Sequence, residues 1–179
     1  MDFKSSKTYN NVLQAFQGES IARNKYTLYA NKAREEGYEQ IADLWIETAN
    51  NEFEHSEVFF KYLHDGDVPH TIDNLQDSID GEHNEWTNLY QQFANDAESE
   101  GYTDIANHFR NISNIEKRHM LRYTELLQNI EDNEVFSKME KVIWRCIKCG
   151  HGSFDFDAPE KCPVCGEPKA NFELACDNY

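Results

Sequence analysis

The pattern Glu-x-x-His occurs twice, as Glu52/His55 and Glu116/His119, inside segments that repeat each other at a shift of 64 positions. The same shift aligns Glu36-Gly37-Tyr38 with Glu100-Gly101-Tyr102, and Ile41-Ala42 with Ile105-Ala106. Upstream, Gly18-Glu19 matches Gly81-Glu82 at a shift of 63, whereas Tyr26 and Tyr90 match at 64. One helical hairpin is therefore used twice. Each copy offers a glutamate on its first helix and a Glu-x-x-His on its second.

Helical spacing places these groups on apolar stripes. Ile41, Trp45, Thr48, Glu52, His55, Phe59 and Tyr62 form one, and Ile105, Phe109, Ile112, Glu116, His119, Tyr123 and Leu126 form its repeat. Glu19 shares a stripe with Val12, Ala22, Tyr26 and Ala33, and Glu82 shares one with Leu75, Ile79, Trp86, Leu89 and Phe93. These stripes predict carboxylates aimed at a core. Buried ionised carboxylates cost several kcal/mol each unless cations or protons accompany them, so a converging set points to metal. Oxygen and imidazole donors suit iron or manganese. One glutamate from each of two helices plus Glu-x-x-His from each of two others is the ligand set of di-iron and di-manganese carboxylate bundles. A lone Glu-x-x-His is usually an incidental surface pair, but a repeated one on apolar stripes is not.

The periodicity predicts helices from about Ser6 to Glu36, on to about His64, from Thr71 to Gly101, and on to about Glu131. Very short connections make each pair an antiparallel hairpin. The acidic stretch from Glu131 to Glu134 reads as a solvated linker. Beyond Glu140 the helical period ends, and the chain is expected to divide into residues 1–140 and 141–179. The second part carries Cys146-x-x-Cys149 and Cys162-x-x-Cys165, paired knuckles that describe a tetrahedral four-thiolate site for iron or zinc. Disulfides are the poorer reading in a reducing compartment. A segment of roughly 40 residues buries too little apolar surface to fold without its metal, and Trp144, Phe154, Phe156 and Phe172 are its expected core.

The 179 residues carry a net charge of −16, which argues against nucleic acid or an anionic membrane as partner. No apolar run approaches the roughly 20 residues of a membrane span, and the start Met1-Asp2-Phe3-Lys4 lacks a signal-peptide pattern. A cytoplasmic protein is expected.

With both motifs in place, the whole chain resembles the rubrerythrins: a mainly α, ferritin-like four-helix bundle holding a di-iron site, followed by a small rubredoxin-like Fe(Cys)4 domain. Glu85, three residues after Glu82, matches the additional carboxylate of that family. The resemblance implies that Glu52 and Glu116 bridge the irons, that Glu19 and Glu82 are terminal ligands, and that His119 binds on the Glu82 side. On the Glu19 side, Glu85 binds ferric iron and His55 ferrous iron, which makes these two the catalytic, redox-exchanged ligands. It further implies a peroxidase that reduces hydrogen peroxide to water, with electrons from an NAD(P)H-dependent reductase or small redox protein relayed through Cys146, Cys149, Cys162 and Cys165. Tyr26 and Tyr90 either hydrogen-bond ligand carboxylates or pack as ordinary buried tyrosines.

His151 stands where such knuckles usually carry an aromatic residue, Cys176 lies outside both knuckles, and His64, His70, His83 and His108 lack ligand spacing. A ferritin-like iron-storage protein shares most ligands but needs no internal electron donor. A binding module with a structural zinc is the other alternative. The link between the hairpins bears on assembly. Returning along a bundle from the end of the second helix to the start of the third spans roughly 30 Å. The few residues from His64 to Thr71 reach about 25 Å when extended. This predicts a domain-swapped homodimer, each di-iron site drawing ligands from both subunits.

Overall fold

Ser6 starts the first helix. Its backbone is extended and its hydroxyl accepts the Tyr9 amide at 3.0 Å, filling one of the hydrogen bonds a helix N-terminus lacks. The computed structural model describes residues 2–176 and divides the chain into two compact units, Met1–His70 and Thr71–Tyr179. The first unit is a hairpin of α1 (Lys7–Glu35) and α2 (Glu39–Leu63). In the second, α3 (Thr71–Asn84) and α4 (Tyr90–Ser99) pack on α5 (Thr103–Glu131), and a small sheet follows.

The repeat in the sequence is a repeat in structure. At the tip of the first hairpin Gly37 adopts φ +84°, its amide bonds the Arg34 carbonyl, and the Tyr38 amide bonds that of Ala33. At the second tip Gly101 adopts φ +86°, with the same bonds to Glu98 and from Tyr102 to Ala97. A left-handed residue closing the last carbonyls in this way stops a helix in one step. The buried line of each hairpin repeats too: Ala30, Ala33, Ala42 and Ala49 in the first, Ala94, Ala97, Ala106 and Ser113 in the second.

Two expectations about the helices need correction. The wide apolar stripes are only partly covered: Ile41, Tyr62, Phe93, Ile105, Ile112 and Leu126 are exposed. A pair of helices buries only the line between them, and a wider stripe needs further helices against it. Nor is the third helix continuous from Thr71 to Gly101. Between α3 and α4 the residues Glu85–Leu89 form a π turn, in which the Tyr90 amide bonds the Glu85 carbonyl five residues back.

In the sheet, β1 (Ser137–Cys146) lies between β2 (Gly152–Asp157) and β3 (Phe172–Leu174), antiparallel to both. Trp144 is fully buried with Cys146, Ala158, Cys162 and Phe172, and its Nε1 donates to the Asp155 carbonyl at 3.2 Å. Phe154 and Phe156, expected in this core, are exposed. Side chains alternate along a strand. Trp144 faces Ser153 on the core side, so Phe154, paired with Ile143, falls on the outer face. Phe156 takes the Lys141 ammonium over its ring at 5.4 Å. Among the described residues, no helix is long and apolar enough to cross a membrane.

Candidate metal centres

Each hairpin brings its sequence-predicted ligands together. Glu19 comes from the middle of α1 and Glu52 and His55 from α2, and one donor atom from each lies within 4.8 Å of the others. Glu82 at the end of α3 meets Glu116 and His119 of α5 in the same way. His55 Nδ1 is 2.9 Å from Glu52 Oε2 and 3.9 Å from Glu19 Oε2. His119 Nδ1 is 2.7 Å from Glu116 Oε2 and 3.5 Å from Glu82 Oε1. The side chains of Glu52 and Glu116 are each 15% exposed, a match that follows from their equal places in the repeat.

The electrostatics of both groups suit a cation. A hydrogen bond with Glu52, then burial and the charge of Glu52, raise the Glu19 carboxyl above its ordinary value despite His55. Burial, then a hydrogen bond with Glu116 and its charge, raise that of Glu82; His119 lowers it and Glu85 adds to the rise. Carboxyl groups held this close share protons or share metal.

The second group is richer than the first. Glu85 opens the π turn, adds its charge to the surroundings of Glu82, and hydrogen-bonds Tyr90. Burial, then the charge of Glu85 and that bond, push the Tyr90 phenol above its usual range. Tyr90 thus sits among the carboxylates, while its counterpart Tyr26 packs its ring against Tyr29 with centroids 6.2 Å apart. The π turn had a trace in the sequence. A repeat offset of 63 at Glu82 that becomes 64 at Tyr90 means one inserted residue, and one extra residue in a helix is a π turn.

In the small sheet the two knuckles approach as mirror partners. Gly150, with φ +77°, bonds its amide to the Cys146 carbonyl, and Gly166, with φ +80°, bonds that of Cys162, each at 2.9 Å. The sulfurs of Cys146 and Cys165 are 3.7 Å apart and those of Cys149 and Cys162 3.6 Å. Disulfide sulfurs lie at about 2.05 Å, whereas four sulfurs at about 2.3 Å from a central ion are separated by about 3.8 Å. The spacing fits a metal. The Cys165 backbone amide leads in bringing the Cys162 thiol down to about 6. At Cys165 the Glu167 amide pulls downward, yet burial and the neighbouring thiols push the group up to about 12. A cation shared by the four sulfurs would favour their thiolate forms. His151 contributes its carbonyl, which accepts the Cys146 amide at 2.9 Å.

These donor sets define a ferritin-like di-iron carboxylate protein with an appended rubredoxin-like four-cysteine iron site. A family model described as rubrerythrin matches residues 10–127 and 73–146, and one described as the rubrerythrin rubredoxin-like domain matches residues 144–173. The chain is 45% identical to rubrerythrin-1 of Clostridium acetobutylicum, over 98% of each protein. It is 43% identical to the rubrerythrin of Porphyromonas gingivalis, over 98% of this chain and 94% of that one. Against the rubrerythrin of Nitratidesulfovibrio vulgaris the figure is 40%, over 98% of each. The chain belongs to the rubrerythrin family, a family of oxidoreductases.

Proposed function

We propose that this protein is a peroxidase: it reduces hydrogen peroxide to water with electrons that enter at the four-cysteine iron, and it protects the cytoplasm against oxidative stress. The observation that carries this reading is the presence on one chain of a doubled carboxylate and histidine donor set and a separate four-thiolate site. A storage protein has no use for the second. When bound, iron supplies the redox change: a pair holds the two electrons that O–O cleavage consumes, and the thiolate-bound ion exchanges one at a time.

The residues divide the work along residues 1–140 and 141–179. Glu19, Glu52, His55, Glu82, Glu85, Glu116 and His119 hold the di-iron pair, with Glu52 and Glu116 as bridges. Cys146, Cys149, Cys162 and Cys165 hold the third iron. Glu85 and His55 are the exchanged ligands, since anionic oxygen suits the harder ferric ion and neutral imidazole the ferrous one. Tyr90 keeps Glu85 oriented through its phenol, and Tyr26 occupies the equivalent place in the other half.

The same chemistry favours a domain-swapped homodimer. A two-helix hairpin with Ile21, Leu28, Leu44 and Val58 exposed, and with half of a ligand set, is completed by a second chain's helices. Only residues 64–70 separate α2 from α3, and the Gly66 amide folds back onto the Lys61 carbonyl, which shortens the link's reach.

The test is an anaerobic assay of the iron-loaded protein with a reductase active on rubredoxin-type iron. The expected balance is one NAD(P)H and one proton consumed per peroxide, giving two waters. No peroxide-dependent oxidation of NAD(P)H, with all sites occupied by reduced iron, would overturn the reading.

A further inference from the structure

The π turn leaves a backbone group without its helical partner. In an α-helix the Tyr90 amide would bond the Trp86 carbonyl, but here it reaches one residue further to Glu85. The Trp86 carbonyl must find another donor, because an unpaired carbonyl in a partly buried stretch is costly. Ser113, on α5, provides it: its Oγ donates to the Trp86 carbonyl at 3.2 Å. Gln91 Nε2 reaches the same carbonyl at 3.4 Å and the Ser113 hydroxyl at 3.2 Å, so serine, glutamine and carbonyl close a triangle. Ser113 is 3% exposed, which keeps water from replacing it.

The repeat provides an internal control. The counterpart of Ser113, 64 positions earlier, is Ala49, equally buried at 3%. Its partner helix α1 runs unbroken from Lys7 to Glu35 and frees no carbonyl. The counterpart of Gln91 is Thr27, whose hydroxyl bonds the Arg23 carbonyl of its own helix. Among the described residues the other buried hydroxyl, that of Ser56 on α2, bonds the Phe53 carbonyl of its own helix, whereas Ser113 reaches across to the helix that widens at Glu85.

We propose that Ser113 is a positioning residue for Glu85: with Gln91 it clamps the Trp86 carbonyl and thereby holds the π turn that sets Glu85 beside Glu82 and Tyr90. The role assigned to Glu85 rests on the ligand reading above, whereas the clamp does not.

Two measurements on the full chain separate them. The first is amide hydrogen exchange of the metal-free protein. Ser113→Ala should speed exchange over residues 85–91 by about tenfold, the factor expected from one lost buried hydrogen bond, and leave α1 and α2 unchanged. Ser113→Thr, which keeps a hydroxyl, should restore slow exchange, and Ala49→Ser should have no effect. Gln91→Leu, at an exposed position, gives a milder version of the same local change should Ser113→Ala fail to fold. Unchanged exchange over 85–91 in both variants, or acceleration spread evenly over the chain, would overturn the clamp. The second measurement is the reduction potential of the iron-loaded pair. Ser113→Ala should shift it in the direction that Glu85→Gln does, and the double variant should shift no further than Glu85→Gln alone. A shift with Glu85→Gln but none with Ser113→Ala would refute the positioning role. No shift with Glu85→Gln refutes the ligand reading instead, and the exchange result then decides the clamp by itself.

Discussion

Replacing Trp144 with alanine should disconnect the two metal centres without touching a ligand. Trp144 is the largest fully buried side chain described, and it forms the floor of the four-cysteine site with Cys146 and Cys162. Truncating such an indole typically costs about 3–5 kcal/mol. The Asp155 carbonyl also loses its donor, at a further cost of about 1 kcal/mol. A segment of roughly 40 residues has almost no stability of its own with which to absorb that loss. The loss therefore consumes what the sheet has without metal, and the remainder falls on metal affinity, since folding and binding are one equilibrium here. A penalty of about 3 kcal/mol is more than a hundredfold in binding constant. Competition with a chelator, read by the thiolate-to-iron absorption, should show at least that drop in iron affinity. Helical ellipticity should hold, because Trp144 lies outside α1 to α5. A Trp144→Ala protein that keeps its four-cysteine iron within about fivefold of the parent affinity would refute the reasoning.

Further expectations address the di-iron side. Glu85→Ala should fold and bind iron yet lower peroxide turnover by at least about tenfold, and parent-like rates at full iron occupancy would exclude ligand exchange. Cys149→Ser should spare peroxide oxidation of a pre-reduced pair while abolishing turnover driven by a reductase; surviving reductase-driven turnover would mean electrons take another route. In metal-free protein the raised carboxyl groups of Glu19 and Glu82 stabilise the fold fully below about 4.5, and that contribution is lost as pH climbs through their folded-state values. Thermal melts from pH 5 to 8 should decline for the metal-free form, and a flat profile would contradict this. Finally, Glu52→Ala and Glu116→Ala chains, each inactive alone, should regain about a quarter of the parent activity when refolded together, because half the dimers are mixed and each holds one intact site. Recovery of nothing, with mixed dimers confirmed, would exclude the swap.

The candidate donor groups were legible because metal chemistry demands particular residues at particular spacings. Glu-x-x-His and Cys-x-x-Cys survive without knowledge of what surrounds them, and all three donor groups form where the spacing puts them. The π turn was legible only as an offset of one between two alignments, at Glu82 and Tyr90, with nothing in local propensity to mark it. Phe154 and Phe156 were misplaced because hydrophobic identity does not say which face of a strand a residue takes; the pairing of Trp144 with Ser153 does. Ser113 could not be read at all until the carbonyl it serves was seen, since a single serine on a helix usually bonds its own backbone.

The seam of Ala30, Ala33, Ala42 and Ala49 in the first hairpin, repeated as Ala94, Ala97, Ala106 and Ser113 in the second, has a kinetic side. Alanine has no rotamers to freeze and serine very few, so the buried line of each hairpin has almost nothing to rearrange. Glu19 meets Glu52, and Glu82 meets Glu116, across that line. Within each hairpin the donors already converge, so an arriving ion should not wait for those two helices to be drawn together.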